Sequence, residues 1–84
     1  MEGTIIDVRS PQEYQSGHVE GSINIPLNEV MNRIEEIKTM EHPILLCCAS
    51  GSRSGMATHI LSQEGVSCEN GGSWLDVNYL QSQN

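Results

Sequence analysis

Ile44-Leu45-Leu46-Cys47-Cys48-Ala49-Ser50-Gly51-Ser52-Arg53-Ser54 is the stretch that decides the fold of this chain. Residues 44–48 are apolar without polar alternation, which predicts a central strand covered on both faces. Four small residues follow, then Arg53 and a helical segment to about Gln63, with Ala57, Ile60 and Leu61 inward. Strand, cysteine, small-residue loop, arginine and helix together build an anion cradle around a reactive sulfur. The helix start supplies unpaired N–H groups and the positive end of its dipole. A thiolate there is stabilised, and its pKa falls below the free value of about 8.5. Small side chains let backbone N–H groups point inward, and Arg53 adds a planar donor fork suited to an oxyanion.

Two sulfurs compete for this cradle. Cys48 to Arg53 is C-x4-R; Cys47 to Arg53 is C-x5-R followed by Ser54, which formally matches the phosphate loop of cysteine-dependent phosphatases. Side chains alternate across a strand, so only one of the neighbours can face the loop. The tighter loop suits one sulfur atom and the wider ring suits a phosphate.

Outward from the loop, short β-like runs alternate with helical ones, the pattern of an α/β domain with a mostly parallel sheet of four to five short strands flanked by helices. Thr4–Val8 reads as a buried strand. Ser10-Pro11-Gln12-Glu13 reads as a capping box with proline at the first helical position, on a short helix ending near Gly17. Ser22–Ile25 reads as a second strand. Residues 27–39 read as one helix, with Val30, Ile34 and Ile37 on one face. Gly65 is a good helix stop, Val66-Ser67-Cys68 a last strand, Gly71-Gly72 a turn, and residues 73–80 a final helix.

Bulk properties narrow the function. Eighty-four residues make one small domain, 1–84. With no Phe and only Trp74, Tyr14 and Tyr79 aromatic, the core must be aliphatic. A net charge of -7 with four basic residues argues against nucleic acid or an anionic membrane as partner. No apolar run approaches membrane-spanning length, and no signal peptide is visible. Three cysteines without C-x-x-C or Cys/His spacing point to free thiols; neither a metal site nor a disulfide framework is expected.

Four segments, in order, carry a resemblance: Ile6-Asp7-Val8-Arg9-Ser10-Pro11-Gln12-Glu13-Tyr14, then His18 to Pro26, then Cys48 to Ser54 with Ala57, then Gly71-Gly72 with Trp74. Over nearly its whole length the chain resembles the rhodanese family of sulfurtransferases in its small single-domain, phage-shock type. The resemblance implies a rhodanese-like fold and makes Cys48 the nucleophile. Cys48 would take the outer sulfur of a small sulfur-containing anion such as thiosulfate, carry it as a persulfide, and pass it to cyanide, a thiol or a protein acceptor. Ala49, Ser50, Gly51, Ser52 and Arg53 would hold the anionic sulfur. Asp7 is expected to brace Arg53 or the loop, Arg9 to pair with Glu13, and His18 to pack structurally.

No cofactor is expected, and a monomer is. The compartment stays open between cytoplasm and periplasm. The loop carries one basic residue where members proficient with thiosulfate often have more. Two alternatives remain: a non-catalytic binding or redox-sensing module, and a Cys47-dependent phosphatase or arsenate reductase.

Overall fold

The computed structural model describes residues 2–83. Four strands form one parallel sheet in the order β2-β1-β3-β4: β1 Thr4–Asp7, β2 Ile23–Asn24, β3 Ile44–Cys48 and β4 Cys68–Ser73. The connections carry α1 Pro11–Gln15, α2 Leu27–Val30, a 3-10 turn Met31–Arg33, α3 Ile34–Lys38, α4 Ser52–Gln63 and the closing α5 Trp74–Ser82. Because all strands run parallel, their carboxyl ends share one edge. The chain leaves β1 toward β2 but leaves β3 toward β4, so β1 and β3 flank the switch point where open α/β sheets bind ligands.

Strand alternation divides the core in two. Ile44, Leu46 and Cys48 face α2, α3 and α4, where Ile6, Val8, Val30, Ile37, Ala57 and Leu61 pack with them. Leu45 and Cys47 face the other side, against Ile5, Val19, Trp74 and Val77. Both faces of β3 are therefore covered, which is why its sequence shows no polar alternation. The core is aliphatic on both sides, as the shortage of aromatics requires.

Three local expectations are corrected. The segment 27–39 is not one helix: the 3-10 turn at Met31–Arg33 interrupts it, with Arg33 at φ -120°, while Val30 and Ile37 stay buried. Val66 does not start a strand. Gly65, at φ +82°, ends α4, and Val66 N–H donates to the Leu61 carbonyl at 2.9 Å while Gly65 N–H donates to Ser62, a Schellman cap that takes Val66 as its apolar residue. Gly71-Gly72 is no turn but part of β4. Leu46 pairs with Asn70 and Cys47 with Gly72, so Gly71 is a bulged extra residue. A Cβ at Gly71 would lie 2.9 Å from Val77 Cγ2 and 3.1 Å from the Leu46 carbonyl oxygen, which leaves room for glycine alone.

Candidate active site

Cys48 is the last residue of β3, and its side chain turns toward the loop that opens α4. Gly51 at φ +102° makes the turn from loop to helix and caps it. That turn aims N–H groups at the sulfur. Gly51 N–H donates to Cys48 Sγ at 3.0 Å and Ser54 N–H at 3.4 Å. Ser54 Oγ lies 3.3 Å from Sγ and 2.7 Å from Asn70 Oδ1. Its single proton serves one acceptor at a time, so the hydroxyl is shared between the Cys48 sulfur and Asn70 of β4. Burial pushes the Cys48 thiol up, but the donors from Ser54, Gly51 and Ser50 prevail, and the net shift is downward.

Asn70 works as a latch from the neighbouring strand. Its Oδ1 accepts from Ser54 Oγ and from Gly72 N–H, and its Nδ2 donates to the Gly51 carbonyl at 3.1 Å. Sequence pattern alone does not mark Ser54 and Asn70 as site residues, although Ser54 closes the loop stretch. Asn70→Ala should loosen Gly51 and Ser54 together. The pH midpoint of Cys48 alkylation by iodoacetamide should shift, because the N–H donors loosen and the Ser54 hydroxyl loses its competing acceptor. An unchanged midpoint would show that the latch does not act on the thiol.

Cys48 has no exposed surface, while Ala49, Ser50 and Ser52 are exposed above it. Cys47 lies in the opposite core. Burial, with Asp7 adding to it, pushes its thiol up to about 12. A phosphate loop built on Cys47 is incompatible with this geometry, because its sulfur points away from residues 49–54.

The ion pairs differ from those expected. Asp7 does not brace Arg53 or the loop. It takes the same face as Cys47, its register partner, and is held by Arg9: Nε at 3.0 Å and Nη2 at 2.8 Å. Arg9 does not take the Glu13 carboxylate. It donates to the Glu13 and Gly17 carbonyls and lies 4.8 Å over the Trp74 ring. Arg9 and Asp7 are buried supports beneath the edge. Glu13 closes the expected capping box with Ser10, and its carboxylate also reaches Arg53, Oε1 to Nη1 at 2.7 Å and Oε2 to Nη2 at 3.0 Å. His18 stacks on Tyr14 at 3.8 Å between ring centroids, a packing role as expected.

The Arg53 fork, with the Ser10 N–H, holds the Glu13 carboxyl at about 2, below its ordinary 4.5. A depressed folded-state pKa adds stability that is complete above about pH 4.5 and is lost as pH falls toward 2. The pair is part-exposed, so its contribution is modest. Wild type and Glu13→Gln should differ most in melting temperature near neutral pH and converge toward pH 2. A gap independent of pH would contradict the pairing.

A parallel α/β domain with a lowered-pKa thiol in a ring of N–H donors at the strand edge defines a cysteine-dependent, anion-cradling class. Within that class, the chain belongs to the rhodanese family: the Rhodanese-like domain model matches residues 1–76. It is similar to the thiosulfate sulfurtransferase PspE of Escherichia coli, 43% identical over 74 residues, covering 86% of this chain and 71% of that protein. It is also 43% identical over 61 residues to YqhL of Bacillus subtilis, covering 73% of this chain but only 48% of that longer protein. Among solved structures, an E. coli rhodanese with anions superposes with a TM-score of 0.77 at 43% identity, covering 87% of this chain and 88% of that one. A rhodanese-related protein from Thermoplasma volcanium gives 0.78 at 29% identity, covering 93% and 77%. Among the described residues, no helix is long and apolar enough to cross a membrane.

Proposed function

We propose that this protein is a sulfurtransferase that carries a sulfane sulfur on Cys48 between a small donor and a thiophilic acceptor. The observation that carries the reading is the Cys48 thiol, held by N–H groups of Gly51 and Ser54 at a strand edge. In the first half-reaction the Cys48 thiolate attacks the outer sulfur of the donor. The donor's S–S bond breaks, its electron pair leaves with the departing group, sulfite when the donor is thiosulfate, and Cys48 holds a persulfide. In the second, cyanide or a thiolate attacks the terminal sulfur and Cys48 leaves as thiolate.

The loop's N–H groups, from Ala49 to Arg53, would hold the anionic outer sulfur. The same donors would stabilise the thiolate as leaving group, so one cradle serves both steps. Retention of both the thiol and its donors favours catalysis over a non-catalytic module. Steady-state kinetics with thiosulfate and cyanide test this. Two half-reactions through a covalent intermediate give parallel double-reciprocal lines; a folded protein that takes sulfur from neither thiosulfate nor any other sulfane-sulfur donor would contradict the proposal.

A further inference from the structure

Every Lys and Arg of the chain, four in all, faces a carboxylate: Arg9 with Asp7, Arg33 with Glu29 and Glu36, Lys38 with Glu35, and Arg53 with Glu13. The pair at Arg53 bears on the donor. Both prongs of its fork are filled by both Glu13 oxygens, in the bidentate geometry a sulfonate-like dianion would otherwise use. The net charge of -7 repels such a dianion further. Beside Arg53 lies an open groove of about 320 Å³, lined by Val8, Ser10, Pro26, Leu27, Asn28 and Arg53. Its wall is largely apolar, and Val8 places it at the carboxyl end of β1, next to the loop. Charge recognition is taken up within the chain, and the surface left open next to the loop is apolar.

We propose that the site prefers an alkyl persulfide, R–S–SH, to thiosulfate as sulfur donor, with Glu13 setting the preference by occupying Arg53 and the alkyl arm lying in the groove. This rests on the reading of Cys48 as the sulfur carrier. The step balances without a further reactant. The Cys48 thiolate bonds to the outer sulfur, the R–S bond to that sulfur breaks, the electron pair leaves with RS⁻, and Cys48–S–SH keeps the proton. The leaving thiolate is monoanionic and needs no second cation.

The experiment follows the rate at which one sulfur appears on the protein, by quenched intact-mass measurement, with thiosulfate, methyl persulfide and n-butyl persulfide as donors. Wild type should load from n-butyl persulfide about tenfold faster than from methyl persulfide, as three buried methylenes allow. Leu27→Asn should reduce that advantage to about twofold. Glu13→Gln keeps an amide oxygen for the Ser10 cap and frees Arg53. Its rate ratio of thiosulfate to n-butyl persulfide should rise about tenfold over wild type. Each ratio is taken on one protein, so a partly unfolded variant lowers both rates and leaves the ratio intact. The wild-type comparison of the two persulfides needs no variant. An unchanged ratio in Glu13→Gln, or no preference of wild type for the longer arm, overturns the donor assignment while loading of Cys48 persists. Loading by none of the three donors overturns the sulfurtransferase reading itself.

Discussion

Cys48→Ser is expected to lower sulfur transfer by about a thousandfold or more, while Cys47→Ala transfers sulfur at close to the wild-type rate. The substitution at 48 keeps the size of the side chain and its place beneath the loop. It replaces a thiolate with a hydroxyl that does not ionise near neutral pH and cannot hold a persulfide. The N–H donors of Gly51 and Ser54 remain, so loss of activity with retained folding isolates the nucleophile from its cradle. Cys47 lies among Ile5, Val19 and Val77 on the other face. Truncation to Ala removes packing there without burying a hydroxyl, and costs stability rather than chemistry. Turnover of both variants, corrected for the folded fraction, is the measurement. Activity lost in Cys47→Ala and kept in Cys48→Ser would reverse the assignment.

The second large effect is on folding. Arg9→Met should cost about 3–5 kcal/mol, because it leaves the buried Asp7 carboxylate without its partner. Asp7 is fully buried and Arg9 only 4% exposed, and the guanidinium also donates to the Gly17 carbonyl and lies over Trp74. Met keeps much of the apolar stem and removes the charge. For a domain of this size the total stability is of order 5 kcal/mol, so the variant should be partly or wholly unfolded at 25 °C. Urea denaturation reads this directly. Adding Asp7→Asn removes the orphaned charge and should recover part of the loss. A change below about 1 kcal/mol in Arg9→Met would show that the pair does not hold the strand edge.

The strand alternation that separates Cys47 from Cys48 could be read from the sequence, and the structure bears it out. The same rule also applies to Asp7. It sits in register with Cys47 and so faces away from Arg53, which the family pattern alone does not reveal. Glu13 shows what local pattern hides. Its capping box with Ser10 is a three-residue signal, but its second role joins it to Arg53, 40 positions along the chain, and only the packing of α1 beside the loop brings them together. Asn70 was hidden by its neighbours. Glu69-Asn70-Gly71-Gly72 has turn composition, yet β3 draws it into the sheet, and the bulge at Gly71 gives Asn70 its reach to Gly51 and Ser54. The break between α2 and α3 also lies beyond periodicity, since Val30, Ile34 and Ile37 keep helical spacing across it.

The proposed role of Cys48 is to carry the sulfur in transit. Intact-mass measurement of the protein after exposure to a sulfur donor, followed by peptide mapping under non-reducing conditions, tests it most directly. The protein should gain one sulfur atom, located on the peptide holding Cys48, present in Cys47→Ala, absent in Cys48→Ser, and removed by cyanide. No gain in the folded wild-type protein with thiosulfate or with alkyl persulfides, or a gain that survives in Cys48→Ser, would contradict it.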